Sequence, residues 1–491
     1  MSLVANPGRS RVPDSSSKGE VMSSSTTHAV PEKPRLTVIG TGYLGATHAV
    51  AMASLGYEVL GLDVDQAKVD RLASGDVPFF EPGLPELLRE VMDSGRLRFT
   101  TSFDEAAEFG DVHFICVGTP QAHGSHAANL TYVESAFTEL AARITRPALL
   151  VGKSTVPVGT AARLIGLVRA AAQDPELIDL AWNPEFLREG YAVQDTLRPD
   201  RLVFGVTTAW AEKMLRAAFA PILDVGTPLV IADLPTAELV KVAANSFLAT
   251  KISYINAMAE VCEATGADVN VLASALAYDD RIGGRFLKPG LGFGGGCLPK
   301  DIRAFAHRAE ELGVGQAVAF LHEVDSINNR RRRRTVDLVR ELADGDLRGV
   351  RVAALGAAFK PNSDDIRDAP ALDVADMLRA EGADVIVYDP QAMDNARRDY
   401  PQLTYAPTFA ECVKGAQVVV LLTEWQKFRD ADPEMMGELV ERKAMVDGRH
   451  ALDADAYRAA GWEYRALGRP AQPRTVQLVE DAKDQVMVAA T

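Results

Sequence analysis

A glycine-rich junction near the N-terminus constrains this chain more than any other feature. The stretch "RLTVIGTGYLGATHAVAMASLG" runs from an apolar strand into a helix and places Gly40, Gly42 and Gly45 in the spacing G-x-G-x-x-G. The first glycine permits a tight turn, the second lets the backbone approach a pyrophosphate, and the third allows close packing of helix on strand. Because a helix N-terminus favours anions, we expect this loop, with Tyr43 and Leu44, to hold a dinucleotide.

The next apolar run, "YEVLGLDVD", delivers Asp63 eighteen positions after Gly45. A carboxylate at this place accepts hydrogen bonds from an adenosine ribose and repels a 2′-phosphate. The sequence therefore predicts NAD rather than NADP as the cofactor, with Lys68 as a further residue of the site.

Short β-branched runs alternate with amphipathic stretches in two parts of the chain. The first part contains "RLTVIG", "YEVLGLDVD", "DVHFICVGTP" and "ALLVGKSTV", and the second contains "RVAALGAAFK", "ADVIVYDP" and "AQVVVLLTEW". Such alternation is typical of parallel sheets with crossover helices. The predicted fold class is α/β, with two Rossmann-like doubly wound domains. A long helix over residues 236–265, ending at Gly266, is expected to join them.

Composition limits the partners of the protein. With 491 residues, 47% of them hydrophobic, and a net charge of −15, the chain is expected to bury a large core and to bind neither nucleic acid nor a membrane. The four cysteines lack the spacing of metal ligands or of a disulfide framework, which favours a cytoplasmic location. The two histidines of "QAHGSHAANL" have no further ligands near them in the sequence. We therefore expect no metal.

The stretch "GFGGGCLPKD" places Cys297 after a glycine loop and just before Lys300 and Asp301. A thiol is useful to a dehydrogenase if oxidation continues beyond the aldehyde. The thiolate then forms a thiohemiacetal, a second NAD takes a hydride from it, and water hydrolyses the resulting thioester. Lowering the thiol pKa from about 8.5 to about 7 requires roughly 2 kcal/mol of thiolate stabilisation, which nearby lysines or a nicotinamide cation would supply.

On the long predicted helix, Lys241 and Asn245 are four residues apart and therefore share a face. Apolar neighbours such as Phe247 and Leu248 leave little room for an exposed polar stripe. We expect a buried polar site, and such a site needs a ligand or partners.

Four motifs in this order resemble the UDP-glucose/GDP-mannose dehydrogenase family: "STVPVGT", "NPEFLREG", "ELVKVAANSFLATKISYINAMAE" and "GFGGGCLPKD". The likeness covers roughly residues 35–465. It implies NAD-dependent, four-electron oxidation of a nucleotide sugar to a uronate, with UDP-glucose favoured and GDP-mannose or a UDP-N-acetylhexosamine as alternatives. Gly296 departs from the family pattern, which often has serine immediately before the nucleophile.

The resemblance implies a role for each matching position. Cys297 matches the nucleophile, and the residues that match the handling of proton, oxyanion and water are Lys241, Asn245, Asp301, Glu185 and Thr155. Further cofactor contacts are implied at Val117, Thr119, Pro120, Thr155, Glu189, Lys300 and Arg367. Substrate contacts are implied at Glu185, Phe186, Leu187, Lys241, Asn245, Lys288, Phe293, Gly294, Phe359, Lys360 and Arg449. Arg281 resembles an arginine that reaches a neighbouring subunit's substrate, which implies a homodimer or a higher homo-oligomer.

The predicted organisation has five parts. A disordered tail over residues 1–33 precedes an NAD-binding Rossmann domain over 34–232. A central helical and dimerisation region over 233–335 carries the catalytic cysteine. A Rossmann-like nucleotide-sugar-binding domain follows over 336–468, and a polar tail over 469–491 ends the chain.

Two other functions share part of this pattern. A 3-hydroxyacid dehydrogenase shares an N-terminal domain and a lysine-asparagine helix of this kind, but it has no use for a second α/β domain. A non-catalytic NAD-binding protein has no need to keep Cys297, Lys241 and Asp301 together. The run "NNRRRRR", residues 328–334, is expected to be a solvated helix face rather than an anion site.

Overall fold

The structure is a computed structural model that describes residues 28–470. Most of the two predicted tails, residues 1–27 and 471–491, lies outside the described residues. Within the described range, no helix is both long and apolar enough to cross a membrane.

The first sheet lies between residues 36 and 232 and has the strand order β3-β2-β1-β4-β5-β6-β7-β8. Its neighbours pair in parallel except β6 and β7. The strands are β1 Leu36–Ile39, β2 Val59–Leu62, β3 Leu97–Thr100, β4 Val112–Ile115, β5 Ala148–Gly152, β6 Ile178–Trp182, β7 Leu202–Gly205 and β8 Leu229–Ala232. The order reverses between β1 and β4, and ligands bind beyond the carboxyl ends of parallel strands at such a point.

Helices cover both faces of this sheet, because its strands are apolar on both sides. Leu36 and Val38 pack into one hydrophobic cluster, while Ile39 and Ile115 pack into another. The helices are α1 Tyr43–Ser54, α2 Gln66–Ala73, α3 Leu84–Asp93, α4 Phe103–Phe109, α5 Thr131–Ala141, α6 Thr160–Ala171, α7 Ala192–Leu197, α8 Ala209–Ala218 and α9 Ala220–Asp224. A single 3-10 turn, Pro175–Leu177, precedes β6.

Four helices follow: α10 Leu234–Thr265, α11 Val269–Ala277, α12 Leu298–Glu311 and α13 Phe320–Leu342, with a 3-10 turn at Gly315–Val318 before the last. The carboxylate of Asp233 caps α10 by accepting the Thr236 N–H at 2.8 Å. Gly266 ends it with φ +76°, a conformation that favours glycine. The long helix and its glycine stop are as predicted, although the helix begins two residues earlier.

The polar residues Lys241 and Asn245 are buried on α10, as expected. The expectation for Phe247 is wrong, because its side chain is 66% exposed. Phe247 therefore belongs to an apolar stripe on the outer face of the helix, not to the walls of the polar site.

The second sheet is entirely parallel, with the order β11-β10-β9-β12-β13-β14. Its strands are β9 Arg351–Leu355, β10 Asp384–Tyr388, β11 Thr404–Tyr405, β12 Val418–Leu421, β13 Ala444–Asp447 and β14 Glu463–Ala466. The helices around it are α14 Pro370–Ala380, α15 Met393–Asp399, α16 Phe409–Val413, α17 Gln426–Arg429, α18 Pro433–Gly437 and α19 Ala454–Ala459. The predicted α/β class with two doubly wound sheets and a long central helix is confirmed.

The arginine run on α13 is not a solvated face throughout. Arg331 is 1% exposed and lies 3.1 Å from the carboxylate of Glu263 on α10. Arg332 is also buried and pairs with Asp373 on α14. Five consecutive residues span more than one helical turn, so some of them must point inward. The sequence-based prediction is therefore wrong for these two arginines, which tie α13 to its neighbours.

Candidate active site

The loop between β1 and α1 has the shape of a phosphate cradle. Gly40 has φ +87°, and a Cβ at this position would lie 2.8 Å from the side chain of Val117. A Cβ at Gly45 would overlap the carbonyl oxygen of Gly40, so helix and turn pack without space for a side chain. A Cβ at Gly42 would meet no atom within 4 Å. The open space therefore lies above Gly42, at the start of a twelve-residue helix, where an anion is favoured.

Asp63 lies at the end of β2 beside this loop. It is buried, and its carboxylate accepts the N–H of Thr41 at 2.8 Å and lies 2.9 Å from the ammonium of Lys68. Burial alone would raise the pKa of Asp63, but Lys68 and the backbone N–H groups of Asp65 and Thr41 hold the pKa below its usual value. The site thus offers an ionised acceptor and an open anion cradle, which together fit the ribose and pyrophosphate of a dinucleotide.

The segment after β4 connects this loop to the start of α12. The hydroxyl of Thr119 donates to the carbonyl oxygen of Thr155 at 2.9 Å, and the ammonium of Lys300 lies 3.4 Å from the same hydroxyl. The hydroxyl of Ser154 donates to the carbonyl oxygen of Val117 at 2.6 Å. The carboxyl ends of β4 and β5 therefore meet the first turn of α12.

Cys297 directly precedes α12, and its side chain is exposed. One turn further, the carboxylate of Asp301 is buried between two donors. It accepts the side-chain N–H of Asn245 at 2.7 Å and lies 2.7 Å from the ammonium of Lys300. The contact orients the Asn245 amide and leaves its second hydrogen free to donate to another oxygen.

Lys241 supplies a buried positive charge to this cluster. Its ammonium lies 3.0 Å from the carboxylate of Glu185, whose other oxygen accepts the N–H of Leu187 at 2.7 Å. Burial lowers the pKa of Lys241, but Glu185, Cys297 and Asp301 together raise it above the usual value. Lys241 is therefore a permanent cation beside the thiol.

These neighbouring residues do not lower the pKa of the Cys297 thiol below its usual value. The protein atoms around Cys297, followed by the carboxylates of Glu185 and Asp301, raise its pKa to about 12, and Lys241 offsets this only in part. Lys241 lowers the thiol pKa as expected, but the protein alone does not bring it to about 7, so the contribution of a nicotinamide cation stays a prediction. The thiol is protonated at neutral pH, and it must lose its proton during the reaction.

Glu189 and Arg367 form a second charged group next to the thiol. The carboxylate of Glu189 accepts the Ser363 hydroxyl at 3.1 Å and lies 3.5 Å from the guanidinium of Arg367. Burial and the neighbouring Asp365 raise the pKa of Glu189 to about 7. A Cβ at Gly296 would overlap the Arg367 guanidinium, so the guanidinium occupies space that a side chain at this position would fill.

Three segments of the chain match domains of one family along their length. Residues 34–223 match the NAD binding domain of the UDP-glucose/GDP-mannose dehydrogenase family, residues 235–330 match its central domain, and residues 353–454 match its UDP binding domain. The UDP-glucose 6-dehydrogenase YwqF of Bacillus subtilis is 40% identical over 437 residues, which cover 89% of this chain and 98% of the relative. The UDP-glucose 6-dehydrogenase of Rhizobium meliloti is 39% identical over 89% of this chain and all of its own length.

A solved structure gives the same result in three dimensions. The UDP-glucose dehydrogenase from the archaeon Pyrobaculum islandicum superposes with a TM-score of 0.82 at 37% identity, covering 90% of this chain and 100% of its own. The chain belongs to the UDP-glucose/GDP-mannose dehydrogenase family. It is therefore an NAD-dependent oxidoreductase that acts on a nucleotide sugar, as the sequence motifs predict.

Several residues that the family resemblance assigns to the substrate lie against the loop from Gly292 to Gly296 or beside Lys241 and Glu185. The ring of Phe359 packs over Gly295, where a Cβ would lie 2.8 Å from it, and the ammonium of Lys360 lies 5.2 Å from the centre of this ring. Phe186 is half-buried, and the guanidinium of Arg201 lies over its ring, 3.7 Å from the ring centre. Leu187 is also half-buried. A nucleotide contact at these positions stays a prediction.

Other residues of the family set have different surroundings. Phe293 is buried in a hydrophobic cluster, and both of its backbone groups bond to the side chain of Asn328. Its ring has a packing role here. A Cβ at Gly294 would overlap the carbonyl oxygen of Asp368. Arg449 is half-buried and donates to three carbonyl oxygens, those of Leu422, Gly292 and Phe359.

Two family residues lie on an exposed loop before the glycine loop. Arg281 is 89% exposed, and its guanidinium pairs with Asp279, two residues earlier. Lys288 is exposed as well. Within the described part of the chain, Arg281 is not brought to the cluster around Cys297. The predicted contact with a neighbouring subunit therefore stays a prediction.

The structure also brings in residues that sequence reasoning missed. Ser363 and Asp365 contact Glu189 and Arg367. The polar stretch "KPNSDDIRD", which begins at Lys360, is the sequence feature that could have pointed to them. Glu81 accepts a hydrogen bond from Tyr43 at the cofactor loop. It lies in the connection between α2 and α3, where the sequence has no helical or strand periodicity that would mark a buried residue.

Proposed function

We propose that this protein catalyses the reaction UDP-glucose + 2 NAD⁺ + H₂O → UDP-glucuronate + 2 NADH + 3 H⁺. The observation that carries the proposal is the position of Cys297, an exposed thiol at the start of α12 beside buried Lys241 and buried Asp301. Oxidation of an alcohol to an aldehyde needs no thiol, whereas continued oxidation to a carboxylate uses one. The names of the relatives support UDP-glucose over GDP-mannose or a UDP-N-acetylhexosamine.

The first oxidation requires a proton acceptor for the sugar hydroxyl. NAD, when bound, accepts a hydride from the sugar carbon in each of the two oxidations. Glu185 takes the hydroxyl proton, directly or through one water, because its carboxylate is paired with Lys241 and lies at the cluster. Lys241 offers its positive charge to the oxygen as negative charge develops there.

The thiol then captures the aldehyde. The sulfur of Cys297 forms a bond to the aldehyde carbon as the carbon–oxygen π bond breaks. Lys241 gives a proton to the aldehyde oxygen and takes the thiol proton in its place, so that the charge of the Lys241–Glu185 pair is unchanged. Lys241 and the free amide hydrogen of Asn245 donate to the aldehyde oxygen, which becomes the hydroxyl of a thiohemiacetal. Because the pKa of the free thiol is about 12, proton transfer has to accompany sulfur attack rather than precede it.

Glu185 releases its first proton to water and takes the hydroxyl proton of the thiohemiacetal in the second oxidation, after which the same carbon is a thioester on Cys297. A water molecule attacks this carbon, the carbon–sulfur bond breaks, and the products are a carboxylate and the restored thiol. Asp301 is suited to orient that water, because Asn245 and Lys300 fix its carboxylate. Thr155 belongs to the same water network by family resemblance.

The test supplies the purified protein with UDP-glucose, GDP-mannose and UDP-N-acetylmannosamine separately and counts NADH per sugar consumed. We expect a ratio of two on UDP-glucose and the highest kcat/KM for that sugar. A ratio of one on the best substrate contradicts the thioester route, and a clear preference for another nucleotide sugar contradicts the substrate.

A variant pair isolates the thiol. Cys297→Ala should abolish uronate formation, because no covalent intermediate forms. The control is Cys262→Ala, which removes a buried thiol near the end of α10 and should retain turnover. Equal turnover in the two variants refutes the role of Cys297.

We infer that the protein works as a homodimer, or a higher homo-oligomer, assembled through the outer face of α10. Phe247, Tyr254 and Val261 repeat every seven residues along this helix and are 66%, 48% and 52% exposed. Large apolar side chains spaced in this way form one stripe, and a second copy of the helix is the partner that buries it. A combined Phe247→Glu and Tyr254→Glu variant should run as a monomer in size-exclusion chromatography with light scattering, whereas exposed Tyr132→Glu should not.

The role of Arg281 in a neighbouring subunit's site can be tested by mixing two inactive variants. Arg281→Ala and Cys297→Ala homodimers each lack a residue that every site needs. A mixed dimer has one site that draws Arg281 from one subunit and Cys297 from the other. Random mixing should therefore restore about a quarter of the wild-type rate. No recovery after subunit exchange, verified with differently tagged subunits, contradicts this role.

We further propose that the boundaries at 34–232, 233–335 and 336–468 separate cofactor binding, the catalytic helices and nucleotide binding. A cytoplasmic location fits the four cysteines, which are all free thiols in the described residues.

A further inference from the structure

A buried carboxylate connects the loop that holds the cofactor with the loop that carries two acidic site residues. Glu81 is 2% exposed and lies between α2 and α3. Its Oε2 accepts from the hydroxyl of Tyr43 and, at 2.7 Å, from the N–H of Gly190. Its Oε1 accepts the N–H of Ala192 at 2.7 Å. All three donors converge on one side chain.

Tyr43 is held on this carboxylate rather than in solvent. It is the first residue of α1, and its ring packs 4.8 Å from that of Phe79. Burial and the Glu81 carboxylate raise the pKa of Tyr43, so its hydroxyl remains a donor at all physiological pH values. The same hydroxyl lies 3.0 Å from the N–H of Gly190. The cofactor loop is therefore bonded to the other loop twice, directly and through Glu81.

Gly190 is the residue of the second loop that bonds to both Tyr43 and Glu81. It has φ +78°, and a Cβ would lie 2.7 Å from the carbonyl oxygen of Asn362, which follows the second sheet's first strand. Gly190 is thus confined between Glu81 on one side and Asn362 on the other. Glu185 and Glu189 precede it in the same short segment, so a displacement of Gly190 moves both carboxylates.

We propose that Glu81 is a positioning residue that makes the geometry of the segment 185–190 depend on the cofactor loop, so that NAD and the nucleotide sugar bind cooperatively. Glu81 does not touch the reacting atoms. It acts through Tyr43 on the cofactor side and through Gly190 and Ala192 on the substrate side. The substrate half of this inference rests on the proposed function, whereas the cofactor half requires only NAD.

Two conservative variants separate the two sides. Glu81→Gln keeps the size of the side chain but replaces one acceptor oxygen with an amide that repels a backbone N–H. Tyr43→Phe removes only the hydroxyl and leaves both N–H bonds to Glu81. The matched controls are Glu90→Gln and Tyr132→Phe, which change exposed residues on α3 and α5.

The first readout is the ratio of the Kd for UDP-glucose without and with saturating NADH, measured by titration calorimetry. In the wild type we expect NADH to tighten UDP-glucose binding about tenfold, and in both variants by no more than about twofold. The double variant should lose no more than Glu81→Gln alone, because Tyr43 acts through Glu81. A wild-type ratio near one, or unchanged ratios in the variants, overturns the proposal.

The second readout needs no sugar. Hydrogen exchange of the peptide that contains Gly190 and Ala192 should slow when NAD is added to the wild type, and Tyr43→Phe should remove this effect although NAD still binds. Equal protection in wild type and Tyr43→Phe overturns the proposal even if UDP-glucose is the wrong substrate. Should Glu81→Gln fail to fold, Tyr43→Phe carries both tests alone.

Discussion

Two neighbouring glycines of the cofactor loop should respond to the same substitution in opposite ways. In Gly42→Ala the added methyl group meets no protein atom within 4 Å, and the backbone, with φ −69° and ψ −165°, is allowed for alanine. The fold should therefore be undisturbed. The methyl group occupies the space in which we expect the pyrophosphate of NAD to bind, so NAD binding should weaken at least about tenfold, or about 1.4 kcal/mol.

Gly45→Ala changes the fold itself. Its Cβ would overlap the carbonyl oxygen of Gly40 and lie 2.9 Å from the carbonyl carbon and 3.1 Å from the Cβ of Cys116. Overpacking costs about 1–3 kcal/mol, and the upper end applies because backbone atoms cannot rotate away. A loss of about 3 kcal/mol lowers the melting temperature of a domain of this size by roughly 6–12 °C.

Thermal denaturation and calorimetric titration with NAD distinguish the two effects. We expect Gly42→Ala to melt like the wild type and to bind NAD weakly, and Gly45→Ala to melt early. The reasoning is refuted if Gly42→Ala melts early, or if Gly45→Ala melts and binds NAD like the wild type.

Three further predictions concern charged groups. Lys241→Met should lower kcat about 10²–10³-fold in an NADH assay, because Glu185 and the thiol then lose the cation between them, while exposed Lys213→Met should keep the wild-type rate. The folded protein holds the Glu189 proton up to about pH 7, whereas an ordinary glutamate releases it near 4.5, so stability should fall as pH rises through this window. Glu189→Gln should remove that part of the fall in melting temperature, and an identical pH dependence in the variant contradicts the assignment. Arg331→Met should cost about 3–5 kcal/mol by removing the buried cation that pairs with half-buried Glu263, against little change for exposed Arg333→Met, and equal melting of the two contradicts its role.

Features set by local rules could be predicted from the sequence. The strand, turn and helix around Gly40 and Gly42 follow from residue spacing, and the end of α10 follows from Gly266. Helical periodicity also placed Lys241 and Asn245 on one buried face. In each case the deciding interaction lies within a few positions along the chain.

Features that depend on distant partners could not be predicted. The contacts of Glu81 reach residues 38, 109 and 111 positions away, and nothing in the local pattern marks them. The burial of Arg331 depends on carboxylates from α10. The thiol pKa of Cys297 is raised first by the protein atoms that surround it and then by Glu185 and Asp301, and sequence spacing shows neither of these effects.

Arg449 has a consequence for which carbon of the sugar reacts. Its guanidinium joins the carbonyl oxygen of Gly292, on the loop that leads to the thiol, to those of Phe359 and Leu422, which follow two central strands of the second sheet. These hydrogen bonds fix the distance between the Cys297 loop and the second sheet, most of which lies in the segment that matches the family's UDP binding domain. Under the proposed function, a pyranose anchored by its nucleotide is expected to reach the sulfur only with the atom at its far end. We therefore expect the distance between nucleotide and thiol to select the carbon that is oxidised.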